Sequence, residues 1–479
     1  MTNHTQLFID GAMVSARGGN DMPVIDSFTE ATFDSYRAAS AADVDAAVAA
    51  ARRAFDGWAA TPPAERIAAV RRIAIALREQ AEPLTTAISR EVGMPRKLAA
   101  RIQVGAPIAA WDMYADIAAD FEWETRIGHS LIQQVPTGVV ACITPWNYPL
   151  HQITGKVAPA LLAGCTVVLK PSELAPSSAF LLADAIQQAG LPAGVFNLVH
   201  GTGPEVGEAL VRHPDIDMVS FTGSTRAGRH IAAIAGADLK RVALELGGKS
   251  ASLVLPDADL ALAVKVTLGG CMLNSGQTCS ATTRLLVPRE SLEAAEAIAL
   301  GLLAGYCMGD PADGATRLGP LISKLQQEKV RGLIDVALAS GARRIGVAAE
   351  LPAHGFFVPA TVLSDVTPEM EIAREEVFGP VLVLMAYDGV EEGIALANGT
   401  DYGLAGAVWG PATPQTLAVA RRIRAGQVDI NGAPFNPMAP FGGFKKSGIG
   451  RENGRFGIEE FLEPVSFQLP PAFLTTTDL

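Results

Sequence analysis

The chain has 479 residues, 49% of them hydrophobic and only 18% charged, with a formal net charge of −12. That length supplies about three domains' worth of chain and ample material for buried cores. So acidic a balance argues against nucleic-acid and anionic-membrane partners. The longest apolar runs, such as 297–309, fall short of the roughly 18 residues a spanning helix needs, so they read as buried elements. The N-terminus lacks a basic stretch leading into an apolar one, so no signal peptide is expected. Five scattered cysteines make no disulfide framework, which fits a reducing cytoplasm. Without a CxxC or HxxxH pair, no metal site is expected.

In chain order, Phe8-Ile9 before Asp10-Gly11 reads as one arm of a hairpin. Ser40 to Asp43 has the form of a capping box, and Val44, Val48, Ala51 and Phe55 follow at helical spacing. Pro62-Pro63 ends that helix and starts another, and a third runs from about Glu82 to Gly93. Residues 123–140 read as extended strands. From Val139 onward, apolar runs alternate with helical stretches. The runs begin at Val139, Thr166, Val195, Met218 and Arg241, and each closes on a polar or glycine-rich loop. That alternation predicts a doubly wound parallel sheet of the α/β class, with ligands at the C-terminal strand ends. A second α/β region is expected beyond Gly248.

Chemistry gathers at those loops. Cys279, in Gly276-Gln277-Thr278-Cys279-Ser280, has small polar neighbours that suit a reachable thiolate, although a lone cysteine is more often a buried structural thiol. Glu245, between Leu244 and Leu246 at a strand end, fits a general base whose pKa burial has raised, or else a cap or ion-pair partner. Asn147 can aim an amide at an oxyanion, or can serve as a turn residue. Gly201-x-Gly203 and Thr222-Gly223-Ser224 each open a helix whose N-terminus can take a pyrophosphate, or form tight turns. Lys170 can hold ribose hydroxyls, and Glu173 beside it disfavours a 2′-phosphate. Both also fit a surface turn.

Seven stretches then stand in one order: Pro145-Trp146-Asn147-Tyr148-Pro149, Lys170-Pro171-Ser172-Glu173, Phe221-Thr222-Gly223-Ser224, Leu244 to Lys249, Gly276-Gln277-Thr278-Cys279, Glu375 to Pro380, and Pro440 to Gly448. On these the chain resembles the NAD(P)-dependent aldehyde dehydrogenase superfamily across essentially its whole length. The resemblance implies Cys279 as nucleophile, Glu245 as general base and Asn147 as oxyanion donor. It implies Lys170 and Glu376 at ribose hydroxyls, Ser224 and Trp146 at the pyrophosphate, and Phe378 near the nicotinamide. Ser172, Glu173, Gly203, Phe221, Gly223 and Leu246 complete the expected cofactor surroundings. An aldehyde tunnel is implied along Tyr148, His151, Gly155, Leu273, Thr278, Ser280, Phe435 and Phe441. Many relatives carry a large aromatic where Gly155 stands, so a wide tunnel and a bulky apolar aldehyde, aromatic or terpenoid-like, are expected.

The implied layout is a dinucleotide-binding domain (1–121 and 138–247), a catalytic domain (248–450) and an oligomerisation flap with its tail (122–137 and 451–479). The flap and tail would build a homodimer or homotetramer by strand pairing. Some relatives relay protons through a second glutamate near the C-terminus, and Arg455 is read at the matching position. NAD is the expected cofactor, with NADP open. Three other readings remain: transfer of the acyl group to coenzyme A on the same fold, a cysteine hydrolase, and a catalytically silent structural protein. The presence of Glu245 argues against the first. The lack of any histidine near Cys279 in the chain argues against the second. The complete Cys279, Glu245 and Asn147 set argues against the third.

Overall fold

In the computed structural model, which describes residues 3–4, 6–470 and 473, runs of aliphatic and β-branched residues form two mainly parallel sheets. In the first, Val139–Ile143 is central. Met218–Thr222 and then Arg241–Glu245 lie on one side, and Thr166–Lys170 and then Phe196–Leu198 on the other, all parallel. The hairpin Gln6–Ile9 with Ala12–Ser15 closes one edge antiparallel, and Gly448–Ile449 closes the other against Leu244 and Glu245. Strand order reverses beside Val139–Ile143. Helices there leave to opposite faces and open a crevice above the C-terminal strand ends.

The helical framework follows its sequence signals. Ser40 and Asp43 form the reciprocal capping box of Ala41–Ala59. Proline opens Pro63–Glu79, and Gly93 ends Ala81–Val92 at φ 82°. A further long helix, Ala106–Ala119, had no sequence forecast. Its Trp111 indole donates to Thr154 Oγ1 at 2.9 Å, tying it to the helix Pro149–Ala163.

The second sheet centres on Ser250–Val254, parallel to Thr282–Pro288 and to Ala405–Trp409. Val381–Tyr387 and Thr361–Ser364 extend one side, and Gln427–Ile430 the other. A separate antiparallel sheet joins Glu124–Ile127, Ser130–Pro136 and Leu462–Gln468.

Two expectations need correcting. The tail that joins the flap sheet starts at Leu462, not at 451. Gly454–Glu459 is a helix, and Ile458 and Phe461 are buried in the core that holds Trp111. Residues 471–472 and 474–479 of the expected tail lie outside the described residues. The apolar run 297–309 is not buried either. The helix Leu292–Leu303 buries only Ala295 and Ala299, and Leu300 is half exposed, because alanine on the inner face suffices for close packing on the sheet. Among the described residues, no helix is long and apolar enough to cross a membrane.

Candidate active site

The turn before Cys279 is held in a conformation few side chains adopt. Asn274 (φ 52°), Ser275 (φ 54°) and Gly276 (φ 75°) are left-handed in succession. Three such residues in a row persist only where the surroundings over-determine them. Here the side chains supply the bonds. Ser275 Oγ donates to the Gly319 carbonyl at 2.7 Å, Gln277 Nε2 to the Asn274 carbonyl at 3.1 Å, and Gln277 Oε1 accepts the Ile322 N–H at 2.9 Å. Gly276 is obligatory: a Cβ there would lie 2.0 Å from the Gly379 carbonyl oxygen. This turn therefore seats the Glu375–Pro380 loop directly on the Cys279 loop.

Asn147 meets the same turn from the first sheet. Its Nδ2 donates to the Gln277 carbonyl at 3.0 Å, and its own carbonyl accepts Gln103 Nε2 at 2.8 Å and Asn274 Nδ2 at 2.9 Å. One amide hydrogen of Asn147 is thus used for positioning, and the second stays available. Cys279 is partly exposed. Burial pushes its thiol up to about 12, with Glu376 and Glu245 adding to the rise and the backbone N–H groups of Ser280 and Cys279 opposing it.

Glu245 ends its strand with both carboxyl oxygens buried and without a hydrogen-bond partner. Burial lifts its pKa well above the usual carboxylate range. Glu452 and Glu460 add to the rise, while Lys156 and Arg451 oppose it. Gly442 leaves it room, since a Cβ there would stand 2.6 Å from Glu245 Oε1. A carboxylate with a raised pKa and free oxygens is a stronger base toward a bound water than a fully solvated one.

The cofactor-side residues gather at the crevice. Ser224 caps the helix Thr225–Ala237 through the Ala227 N–H at 3.2 Å and lines an open cleft of about 740 Å³ with Glu376. Glu376 Oε1 accepts the Gly248 N–H at 3.0 Å, and burial raises its pKa to about 7. Lys170 is buried, donating to the Pro171 carbonyl at 2.7 Å with Glu173 Oε2 3.5 Å away. Ser172 Oγ accepts the Leu174 N–H, so its hydroxyl serves the turn. Space opens above Gly203, where a Cβ would meet nothing within 4 Å. Phe221 lies under Gly223, and Leu246 under Gly228, bringing helix and sheet close together. Trp146 and Phe378 meet edge to face at 5.3 Å, and Phe378 itself is left-handed at φ 58°. The helix N-terminus at Ser224 and the open floor at Gly203, with Lys170 and Glu376 nearby, leave room for a dinucleotide.

A cavity of about 410 Å³ reaches Cys279 from the opposite side. Tyr148, His151, Gly155 and Leu273 line it, and so do Thr278, Ser280, Phe435 and Phe441. The structure thus brings all eight expected tunnel positions together. The Tyr148 and Thr278 hydroxyls are 2.8 Å apart beside the nucleophile, and burial lowers the His151 pKa.

Matches to known proteins agree with this geometry. A model of the aldehyde dehydrogenase family matches residues 13–467. The chain belongs to the aldehyde dehydrogenase family. Among its relatives is 3-succinoylsemialdehyde-pyridine dehydrogenase of a Pseudomonas species, 44% identical over 97% of this chain and 98% of the relative. A cysteine-to-alanine variant of aldehyde dehydrogenase C from Pseudomonas syringae, solved with NAD+ and octanal, superposes with a TM-score of 0.96. It is 46% identical over 98% of this chain and 97% of its own. A Mycobacterium tuberculosis aldehyde dehydrogenase solved with NAD+ gives a TM-score of 0.95 at 40% identity, covering 98% and 99%.

A buried carboxylate of this aldehyde dehydrogenase escaped the sequence reading. Glu452 lines the tunnel and is ion-paired to the fully buried Lys156, and its charge raises Glu245. Arg455, where the second carboxylate was sought, instead pairs with Glu459 on the surface at 2.6 Å. The relevant carboxylate stands three positions earlier, on the bridge that pairs Glu452 with Phe441. That bridge and the ion pair with Lys156, far away in sequence, hold Glu452 in the interior. Ile102, Gln152, Val266, Trp409, Gln427 and Asp429 also line the tunnel, and no motif marked them.

Proposed function

We propose that this enzyme oxidises a bulky, largely apolar aldehyde to its carboxylic acid, with a covalent intermediate on Cys279 and NAD as cofactor. Cys279 lines the tunnel, Asn147 bonds the Gln277 carbonyl two residues before it, and the unpartnered Glu245 carboxyl lies close enough to act on its thiol; that convergence carries the reading. Lys170, Glu376, Ser224, Trp146 and Phe378 are assigned to the cofactor, and Glu173 beside Lys170 favours NAD over NADP. NAD, when bound, supplies the acceptor for the hydrogen and two electrons that leave the adduct.

An aldehyde carbon releases no hydride easily while it is planar. The Cys279 thiol gives up its proton, and the sulfur bonds to the carbonyl carbon. The C=O π electrons move to oxygen, where the second Asn147 amide hydrogen and the Cys279 N–H take up the charge. After the carbon is oxidised, the adduct is a thioester. Glu245 then removes a proton from water, hydroxide adds to the acyl carbon, and the carbon–sulfur bond breaks to regenerate Cys279 and release the carboxylate. The high pKa of the thiol requires a base or a nearby positive charge before attack, and Glu245 is placed for that proton too.

The octanal bound by the Pseudomonas syringae relative and the pyridine-bearing substrate named for the other support a roomy tunnel. A homo-oligomer through the exposed edge strand Leu462–Gln468, in the cytoplasm, completes the proposal. Absorbance of the reduced cofactor tests it, using acetaldehyde, hexanal, benzaldehyde, citral and succinic semialdehyde with NAD or NADP, with and without coenzyme A. The expected outcome is the highest kcat/KM for benzaldehyde or citral with NAD and no need for coenzyme A. A preference for acetaldehyde or succinic semialdehyde rejects the substrate assignment, and an absolute need for coenzyme A rejects hydrolysis.

A further inference from the structure

The tunnel lining is largely apolar, with Val266, Leu273, Trp409 and the edge-to-face rings of Phe435 and Phe441. A few hydrogen-bond acceptors stand among them. Gln152 Oε1 is buried and has no hydrogen-bond partner. Asp429, partly buried, has Oδ1 bonded by Gln427 Nε2 at 2.9 Å. Burial raises the Asp429 pKa, and the Gln427 amide opposes that rise. Lys156, the lysine nearest this wall, is already engaged by Glu452. The wall thus has carboxylate and amide oxygens to offer and no lysine or arginine of its own.

Strand register fixes where these groups stand along the tunnel. Gln427 pairs with Ala405, and Asp429 with Ala407. Leu404, one residue earlier, lies with the Cys279 carbonyl against Gly248, where a Cβ would meet both. Gln427 is therefore the nearer to the nucleophile, and Asp429 stands roughly 6.6 Å further along the strand. A substrate whose aldehyde carbon is at Cys279 places its far end beside Asp429.

We propose that Asp429 selects aldehydes whose apolar body ends in a positively charged hydrogen-bond donor, the ammonium of a protonated amine. This rests on the wide-tunnel reading above. A partly desolvated carboxylate lacks the hydration it would have in bulk water, and an incoming N–H⁺ group restores a partner. A terminal carboxylate would instead meet Asp429 with like charge.

The test uses two aldehydes of nearly equal shape: 4-[(dimethylamino)methyl]benzaldehyde, protonated near neutral pH, and 4-isobutylbenzaldehyde. Steady-state kinetics on the intact enzyme should give the amine a kcat/KM about tenfold higher. The difference should lie mainly in KM, and the preference should collapse toward parity in Asp429→Asn. Raising the pH until the amine loses its proton should erase the preference in the wild type. An isobutyl compound that matches or exceeds the amine overturns this inference and leaves the wide tunnel standing. A preference that survives Asp429→Asn overturns the role of Asp429. If neither aryl aldehyde turns over while acetaldehyde does, the wide-tunnel reading fails and this inference falls with it.

Discussion

The turn before Cys279 and the end of the Glu245 strand face the same reaction, yet they are built on opposite terms. Around Cys279, side-chain amides and a hydroxyl from Asn147, Asn274, Ser275 and Gln277 bond neighbouring backbone, and a left-handed run is locked in place. Around Glu245, both carboxyl oxygens are buried and unbonded, and a glycine keeps the space clear. Under the proposed mechanism, a nucleophile held at one point requires over-determined surroundings, and a base that takes and releases a proton requires the absence of a permanent partner.

The sharpest way to break this contrast is to remove the nucleophile. Cys279→Ala should abolish aldehyde oxidation while leaving NAD binding, followed by calorimetry, near the wild-type value. Dehydrogenase turnover close to wild type would reject the covalent route. Glu245→Gln should come next in severity, stalling the enzyme after reduction of the cofactor. Rapid mixing should show a burst of reduced cofactor, and intact mass should show an acylated chain. In the wild type, a carboxyl with a raised pKa is protonated and idle at low pH. Deacylation should therefore rise as pH increases through that pKa, and this limb should vanish in Glu245→Gln.

Two smaller effects sharpen the other side of the comparison. Asn147→Ala removes a donor and frees the Gln277 carbonyl, and kcat/KM should fall by the equivalent of about 2.7–4 kcal/mol. Gly276→Ala adds a Cβ against the Gly379 carbonyl in a left-handed position. Thermal unfolding should register about 2 kcal/mol of destabilisation, the scale of combined strain and overpacking. An unchanged melting temperature would mean that the turn is looser than its bond set implies.

How much of this was legible in the chain depended on range. Capping at Ser40, the proline start at Pro63 and the Gly93 stop are set by residues within a turn of one another, and each appears where it was read. The cofactor loops were legible for the same reason, because a strand end and the next helix N-terminus are neighbours in sequence. The helix Ala106–Ala119 was not: it buries one face, through Pro107, Ile108, Trp111, Tyr114, Ala115 and Ala118, but Ala106, Ala109, Ile117 and Ala119 on its other side blur the apolar stripe in the sequence.

The sequence by itself determined the alternation of strands and helices, the motif order and the family, because each is written in a few adjacent side chains. Only the tertiary structure decided which carboxylates lack partners, that Glu452 and not a residue at 455 faces Lys156, and that Gln152 and Asp429 line one cavity with Cys279. Those facts depend on pairings between distant parts of the chain, such as Lys156 with Glu452, and on a sheet that sets the Asp429 strand beside Ala405–Trp409 and Ser250–Val254. Desolvation and Coulomb interaction depend on distance in space, and no local spacing in the chain encodes that distance.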